Sequence, residues 1–270
     1  MLFPDSALAR RLERERDRGQ VLYARSFDRL YPQAGAAVEP VAGGHAVFVG
    51  EDSPISRAVG LGIDGPVSPA DLDRAEAFFY DRGMACRVDV SPFTDPSLLD
   101  LLGRRGYRFA WFLNLLVRPA AAPETALPPA PDVTVQQVAR ADLLHWAGIV
   151  SRGFGELQPV EPGRPNIAMA TGHKERVNCF LARAGGEPAG GSAMEIQGAI
   201  AGFMSTSVLP EFRNRGVQTA LLRARLAAAQ AAGCDLVEVQ TSPGSHSQRN
   251  VMRFGFQVAY TRMVMVRDKA

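Results

Sequence analysis

Two stretches of this chain end in the same way. Gly106-Tyr107 opens a run that passes Trp111 and closes on Arg118, twelve residues after the glycine. Gly255-Phe256 opens a second run, which passes Tyr260 and closes on Arg267 at the same spacing. Before each closing arginine the chain is apolar, with Leu115-Leu116-Val117 in one run and Val264-Met265-Val266 in the other. Arginines also precede each glycine, Arg104 and Arg105 in the first case, Arg249 and Arg253 in the second. An equal offset from a turn glycine to the end of a strand points to a duplicated fold rather than to two unrelated apolar strands.

Between the halves lies a segment, residues 119–131, with five prolines in thirteen residues. Proline removes backbone donors and favours extended chain, so the segment reads as a linker. The expected organisation is a domain over 1–118, a Pro/Ala-rich linker over 119–131 and a domain over 132–270. Residues 1–131 carry a net charge of −2 and residues 132–270 a net charge of +4. A mildly basic second half suits an anionic ligand. Hydrophobic residues make up 46% and charged residues 21%, which supplies real cores and excludes a disordered or collagen-like chain. Cys86, Cys179 and Cys234 form no CxxC pair, and His45, His145 and His173 stand singly. No metal site or disulfide framework is therefore indicated, and a cytoplasmic location is the default. No apolar run approaches the ~18 residues of a membrane span. Residues 8–18 alternate Arg and Glu, which reads as a solvated helix and not as a secretory signal.

Periodicity predicts, in the second half, strands at 133–138, 178–183, 189–196, 200–208, 236–240 and 256–266, with helices at 141–154, 219–232 and 247–253. The first half gives strands at 46–49, 58–63 and 86–90, with helices at 68–82 and 96–105. Ser68-Pro69 supplies an N-cap followed by a first-turn proline. The expected class is α/β (α+β), as two mixed sheets flanked by helices.

The most informative segment is residues 208–222. A strand ends at Val208, Pro210 stops sheet pairing, and a turn with Arg213, Asn214, Arg215 and Gly216 feeds a long Ala/Leu/Arg-rich helix. The first N–H groups of such a helix lack internal acceptors and carry partial positive charge. Gly216 lets a ligand approach the backbone, and the arginines add full charges, so a phosphate or pyrophosphate is expected at this helix start. The pattern is neither a nucleoside-triphosphate loop nor a dinucleotide fingerprint. The other reading is an ordinary strand-to-helix connection with surface arginines.

These residues resemble the GNAT acyltransferase superfamily. Its pyrophosphate turn is written Arg/Gln-x-x-Gly-x-Gly/Ala, often with a preceding proline and a following Ala-Leu-Leu. Pro210, Arg213, Gly216, Ala220, Leu221 and Leu222 match it. Downstream, Ser247-Gln248-Arg249-Asn250 and Arg253-Phe254-Gly255-Phe256 resemble the family's Asn-containing helix and Gly-Phe. The resemblance covers residues 132–270, and the repeated strand then implies that 37–118 is a degenerate copy. The corresponding place there, Asp64-Gly65-Pro66-Val67-Ser68, lacks the turn. That copy is expected to be structural or to shape the acceptor site. Two departures stand out. Gln218 replaces the motif's second small residue, and Val251 stands where the family often has a tyrosine that protonates the leaving thiolate.

The resemblance implies transfer of an acyl group, most simply acetyl from acetyl-CoA, to an amine of a small molecule or peptide. Val208 would hold the pantetheine arm. Arg213, Asn214, Arg215, Gly216, Val217, Gln218 and Thr219 would hold the pyrophosphate, and Asn250 would lie near the thiol end. A backbone N–H around residues 205–208 would stabilise the oxyanion. The third strand has no carboxylate for a general base. The candidates are Glu195 and Glu238, against sheet-surface carboxylates, and His246, against an exposed loop histidine. A rival reading is a catalytically weak coenzyme A-binding sensor or regulator. A nucleic-acid module is disfavoured because the basic residues are interleaved with acids. An internal duplication favours a monomer over a homodimer.

Overall fold

A computed structural model describes residues 5–51, 53–123, 130–156 and 158–269. Part of the proline-rich segment, residues 124–129, lies outside the described residues. In chain order the elements are α1 (Ser6–Leu30), β1 (Ala37–Val41), β2 (Gly44–Phe48), β3 (Arg57–Val59), α2 (Pro69–Tyr80), β4 (Cys86–Val90), α3 (Pro96–Arg104) and β5 (Arg108–Pro119). They continue with β6 (Val133–Gln137), α4 (Leu143–Gly153), α5 (Ile167–Gly172), β7 (Val177–Ala184), β8 (Glu187–Gln197), β9 (Ile200–Val208), α6 (Val217–Ala231), β10 (Leu236–Thr241), α7 (His246–Met252) and β11 (Gln257–Arg267). This is the expected class, mixed sheet with helices on its faces.

The chain divides into two compact units, residues 1–115 with 258–270, and residues 116–257. The sequence reading divides it at 118 and 131 and leaves the last strand with the second half. Local pattern marks β11 as a strand but says nothing about its neighbours.

In the first unit the strand order is β1-β2-β3-β4-β11-β5. β3 runs parallel to β4, and β11 pairs antiparallel with β4 from Met263↔Val90 to Arg267↔Cys86. Strands and helices α2 and α3 enclose a core that includes Val41, Ala58, Leu72, Phe79, Val88 and Leu98. Helix α1 starts on Asp5, whose side chain accepts from the Leu8 N–H at 2.8 Å. It is not solvated all round, as its Arg/Glu alternation suggests. Glu13, Arg16 and Asp17 are buried together with Ala9, Leu12, Tyr23 and Phe27 along one helical face. Their partners are remote in sequence. Glu13 accepts from Tyr260 Oη at 2.9 Å and from Arg262 Nε at 2.7 Å. Arg16 and Arg57 share the Asp89 carboxylate, and Asp17 lies 2.8 Å from His45 Nδ1.

In the second unit the order is β5-β10-β9-β8-β7-β6. β6 to β9 are antiparallel neighbours, and β9 runs parallel to β10. One sheet face packs on α6 through Phe180, Met194, Phe203, Leu221, Leu222 and Val237. The other packs on α4 and α5 around fully buried Trp146, whose Nε1–H donates to the Phe180 carbonyl at 3.1 Å. Among the described residues no helix is long and apolar enough to cross a membrane. Elements absent from the sequence reading are β1, interrupted by Pro40, and α5, which has six residues.

Candidate functional site

Strand β9 is built to part from β10. Its ladder with β8 runs Met194↔Phe203 and Ala193↔Met204, then resumes at Gly191↔Ser207. One residue more lies on β9 than on β8 across that gap, which is a bulge, and Ser205 there has φ +50°. The parallel ladder with β10 ends at Val239↔Phe203, although β9 keeps its pairing with β8 as far as Val208. Backbone groups of β9 beyond Phe203 on the β10 side therefore face an opening instead of a neighbouring strand.

The chain then turns through Asn214 (φ +62°) and Gly216 (φ +79°) into α6. Gly216 is the N-cap, with no side-chain cap and no acidic residue in the first turn. The first helical bond is Ala220 N–H to the Gly216 carbonyl. The N–H groups of Val217, Gln218 and Thr219 have no acceptor within the helix. Helix α2 offers the contrast. There Ser68 accepts from the Asp71 N–H, Asp71 accepts from the Ser68 N–H, and Pro69 has no donor. Hydrogen bonds from Ser68 hold the Asp71 carboxyl below the usual carboxylate range.

In front of the α6 start is a cleft of about 710 Å³. Val208, Arg213, Asn214, Gly216, Val217, Gln218, Thr219 and Asn250 all line it. Arg215 is not among the lining residues, and its guanidinium stands 5.3 Å over the Phe212 ring. Gln218 reaches across from α6 to α7, where its side-chain oxygen accepts from Asn250 Nδ2. The residue that departs from the motif thus fixes one that matches it. Arg213 donates to the Gly153 carbonyl at 3.4 Å, which ties the turn to the end of α4. Sequence reasoning missed Gly153, Phe154, Arg249 and Arg253 in the lining. The two arginines are spaced i, i+4 on the short helix and its cap, the one local signal that they share a face. The described lining holds three arginines and no carboxylate, a surface that attracts anions.

The three catalytic candidates lie apart. His246 is exposed and lines the cleft. Glu195 is buried on β8 and accepts from Lys174 Nζ at 2.7 Å, while its other oxygen has no hydrogen-bond partner. Burial pulls the Lys174 pKa down, against the pull of Glu195 upward. Glu238 is partly buried on β10 in the same cross-strand row, because Gly202 on β9 pairs with both Glu195 and Glu238. A Cβ on Gly202 would stand 3.2 Å from Glu238 Oε1, so the glycine makes room for that carboxylate. Neither glutamate lines the cleft. Val251 is buried in the α6-side core, so that position offers packing and no proton.

Residues 145–256 match the family model described as Acetyltransferase (GNAT) family. No curated protein matches the chain. Among solved structures, a GCN5-related N-acetyltransferase from Kribbella flavida aligns with a TM-score of 0.66 at 18% identity, over 94% of this chain and 96% of that one. A tandem GNAT protein from the clavulanic acid biosynthesis pathway aligns with a TM-score of 0.61 at 17% identity, over 91% of this chain and 86% of that one. At such identities the likeness is one of fold.

Proposed function

We propose that this chain, whose residues 145–256 are an acetyltransferase domain of the GNAT family, moves an acetyl group from acetyl-CoA to an amine of a small molecule or peptide. The uncapped α6 start, facing a cleft with three arginines and no carboxylate, carries the reading. Coenzyme A, when bound, supplies the acyl group as a thioester. The amides of Val217, Gln218 and Thr219, with Arg213, would hold its diphosphate. Asn214 and Gly216 shape that turn. Arg215, set over Phe212, contributes charge from the side. Val208 and the freed edge of β9 would bind the pantetheine arm, with Asn250, oriented by Gln218, beside it. A β9 backbone N–H between Ser205 and Val208 would donate to the developing oxyanion. His246 is the candidate group at the cleft for holding the acceptor's proton, directly or through water. With valine at 251, the thiolate would leave without a phenol beside it.

A second reading is a coenzyme A-binding sensor with little turnover. Val251 in the core and Glu195 locked onto Lys174 favour it. In either reading the chain works as a cytoplasmic monomer, without nucleic acid or membrane. Calorimetric titration with coenzyme A, paired with thiol release across a panel of amines, separates the two. Binding with turnover is expected, and binding without turnover would favour the sensor. Arg213→Glu, at an exposed position, should weaken binding about tenfold or more without unfolding the chain. Unchanged affinity in that variant would refute the site.

A further inference from the structure

Arg225, on the third turn of α6, is 1% exposed. Its contacts are few. Nε donates to the Leu221 carbonyl at 3.2 Å, Nη1 to the Ala193 carbonyl at 3.4 Å, and the guanidinium lies 4.4 Å from the centre of the Phe203 ring. Among the described residues no carboxylate pairs with it. Burial pulls its pKa down to about 9, which leaves it charged at neutral pH. A buried cation without a counterion is costly, and burial this complete is ordinarily accompanied by pairing.

Its placement gives the charge a use. Ala193 is the β8 residue beside the bulge, and Phe203 is the last β9 residue of the parallel ladder. The side chain thus joins helix, bulge and strand where β9 and β10 part. An arm that enters past Val208 runs along about five residues of β9, roughly 16 Å, before the opening closes at Phe203. Phe203, where that opening closes, is the residue whose ring the guanidinium covers.

We infer that Arg225 is a positioning residue whose unneutralised charge fixes the opening between β9 and β10 and favours the thiolate form of the departing coenzyme A. The inference rests on the acyl-transfer reading. It supplies what Val251 lacks. The acyl carbon–sulfur bond breaks as the amine nitrogen bonds to that carbon. The sulfur would keep the electron pair and the nitrogen's proton would pass to His246, directly or through water, so no donor to sulfur is needed if the thiolate is stabilised electrostatically.

The test is a pH titration of the coenzyme A thiol, free and bound to the full chain, followed by thiolate absorbance. The bound thiol should titrate about one unit below the free one, a tenfold shift of the kind a nearby buried charge produces. Arg225→Gln keeps a donor in place of Nε toward the Leu221 carbonyl but removes the charge. It should fold, bind coenzyme A within about threefold of the native chain, return the thiol to its free value and lower kcat about tenfold at constant acceptor KM. Arg225→Lys should restore much of both. A bound thiol that titrates like the free one overturns the inference and leaves the acyl-transfer reading intact, whereas failure of the native chain to bind coenzyme A ends both. A glutamine variant with native thiol titration and kcat also overturns it. So does one that does not fold, since the residue's office would then be packing.

Discussion

Gly216→Ala tests the α6 start most directly. The glycine has φ +79°, where an alanine pays roughly 1–2 kcal/mol for its Cβ. The new Cβ would also stand 2.6 Å from the Cβ of Ala130. An ordinary carbon–carbon contact is about 3.5–4.0 Å, so Ala130 must move by about 1 Å. Ala130 leads into β6, since its carbonyl accepts from the Val133 N–H at 3.0 Å. Overpacking of this kind adds about 1–3 kcal/mol. Together the two effects come to about 2–5 kcal/mol, which should lower the melting temperature of the second unit by roughly 5–20 °C. A turn displaced this far misdirects at least one amide donor, and a charge-assisted bond lost there weakens coenzyme A binding roughly ten- to hundredfold. Scanning calorimetry and isothermal titration read the two effects separately. Gly216→Asn sharpens the test, because asparagine accepts the left-handed region but keeps the collision. It should recover part of the stability and none of the steric loss. An alanine variant with native melting and native affinity would refute both the backbone argument and the site built on it.

Three other outcomes follow from the buried charges. Lys174→Met should destabilise the second unit by about 3–5 kcal/mol, because it strands Glu195. Adding Glu195→Leu should recover most of that loss in urea denaturation, and a double variant no better than the single one would contradict the pairing. In the first unit, burial pushes the Asp89 carboxyl up, but Arg16, Arg57 and Arg262 together pull it below the usual range. Its folded pKa is then lower than its unfolded value of about 3.9, so its contribution is full above that value and disappears as pH falls through the folded one. Asp89→Asn should flatten the acid limb of a stability-against-pH curve, and an unchanged limb would show that Asp89 does not set it. Deleting residues 258–270 removes the β11 partner of β4 and leaves Glu13 without Tyr260 and Arg262. The loss should approach the whole stability of a domain, about 5–15 kcal/mol. Native-like amide protection of α1 in the shortened chain would disprove this.

What the sequence made legible is local. Gly216 and its arginines, the capped start at Ser68 and the run of strands into α6 all depend on neighbours within a few residues. The turn was therefore readable down to individual lining residues. What was not legible depends on distant partners. Residues 8–18 read as solvated because their charges alternate, yet Glu13 meets Arg262 at the far end of the chain. Arg225 lies within an Ala/Leu/Arg-rich helix, and nothing nearby in sequence announces its burial. Arg215 shows the reverse error. Its charge sits in the right turn, but Phe212 three residues earlier draws the side chain aside.

The two helix starts show how little separates a closed turn from an open one. From the N-cap onward, α2 reads Ser68, Pro69, Ala70, Asp71, and α6 reads Gly216, Val217, Gln218, Thr219. In both cases the helix stands between two parallel strands, β3 and β4 or β9 and β10. In α2 the serine accepts from the backbone at Asp71, the aspartate accepts in return, and the proline has nothing to offer. In α6 the same three positions carry a residue with no side chain, one with a free N–H and one without negative charge. A capping box stabilises a helix by about 1 kcal/mol. The second unit forgoes that, and three N–H donors are left at a cationic cleft. Stability given up in a turn bounded by Arg213 and backed by Arg249 and Arg253 makes physical sense if an anion completes the cap. The first unit directs its own polar groups inward, Glu13 to Arg262 and Asp89 to Arg16 and Arg57. Its helix start holds no comparable set of free donors.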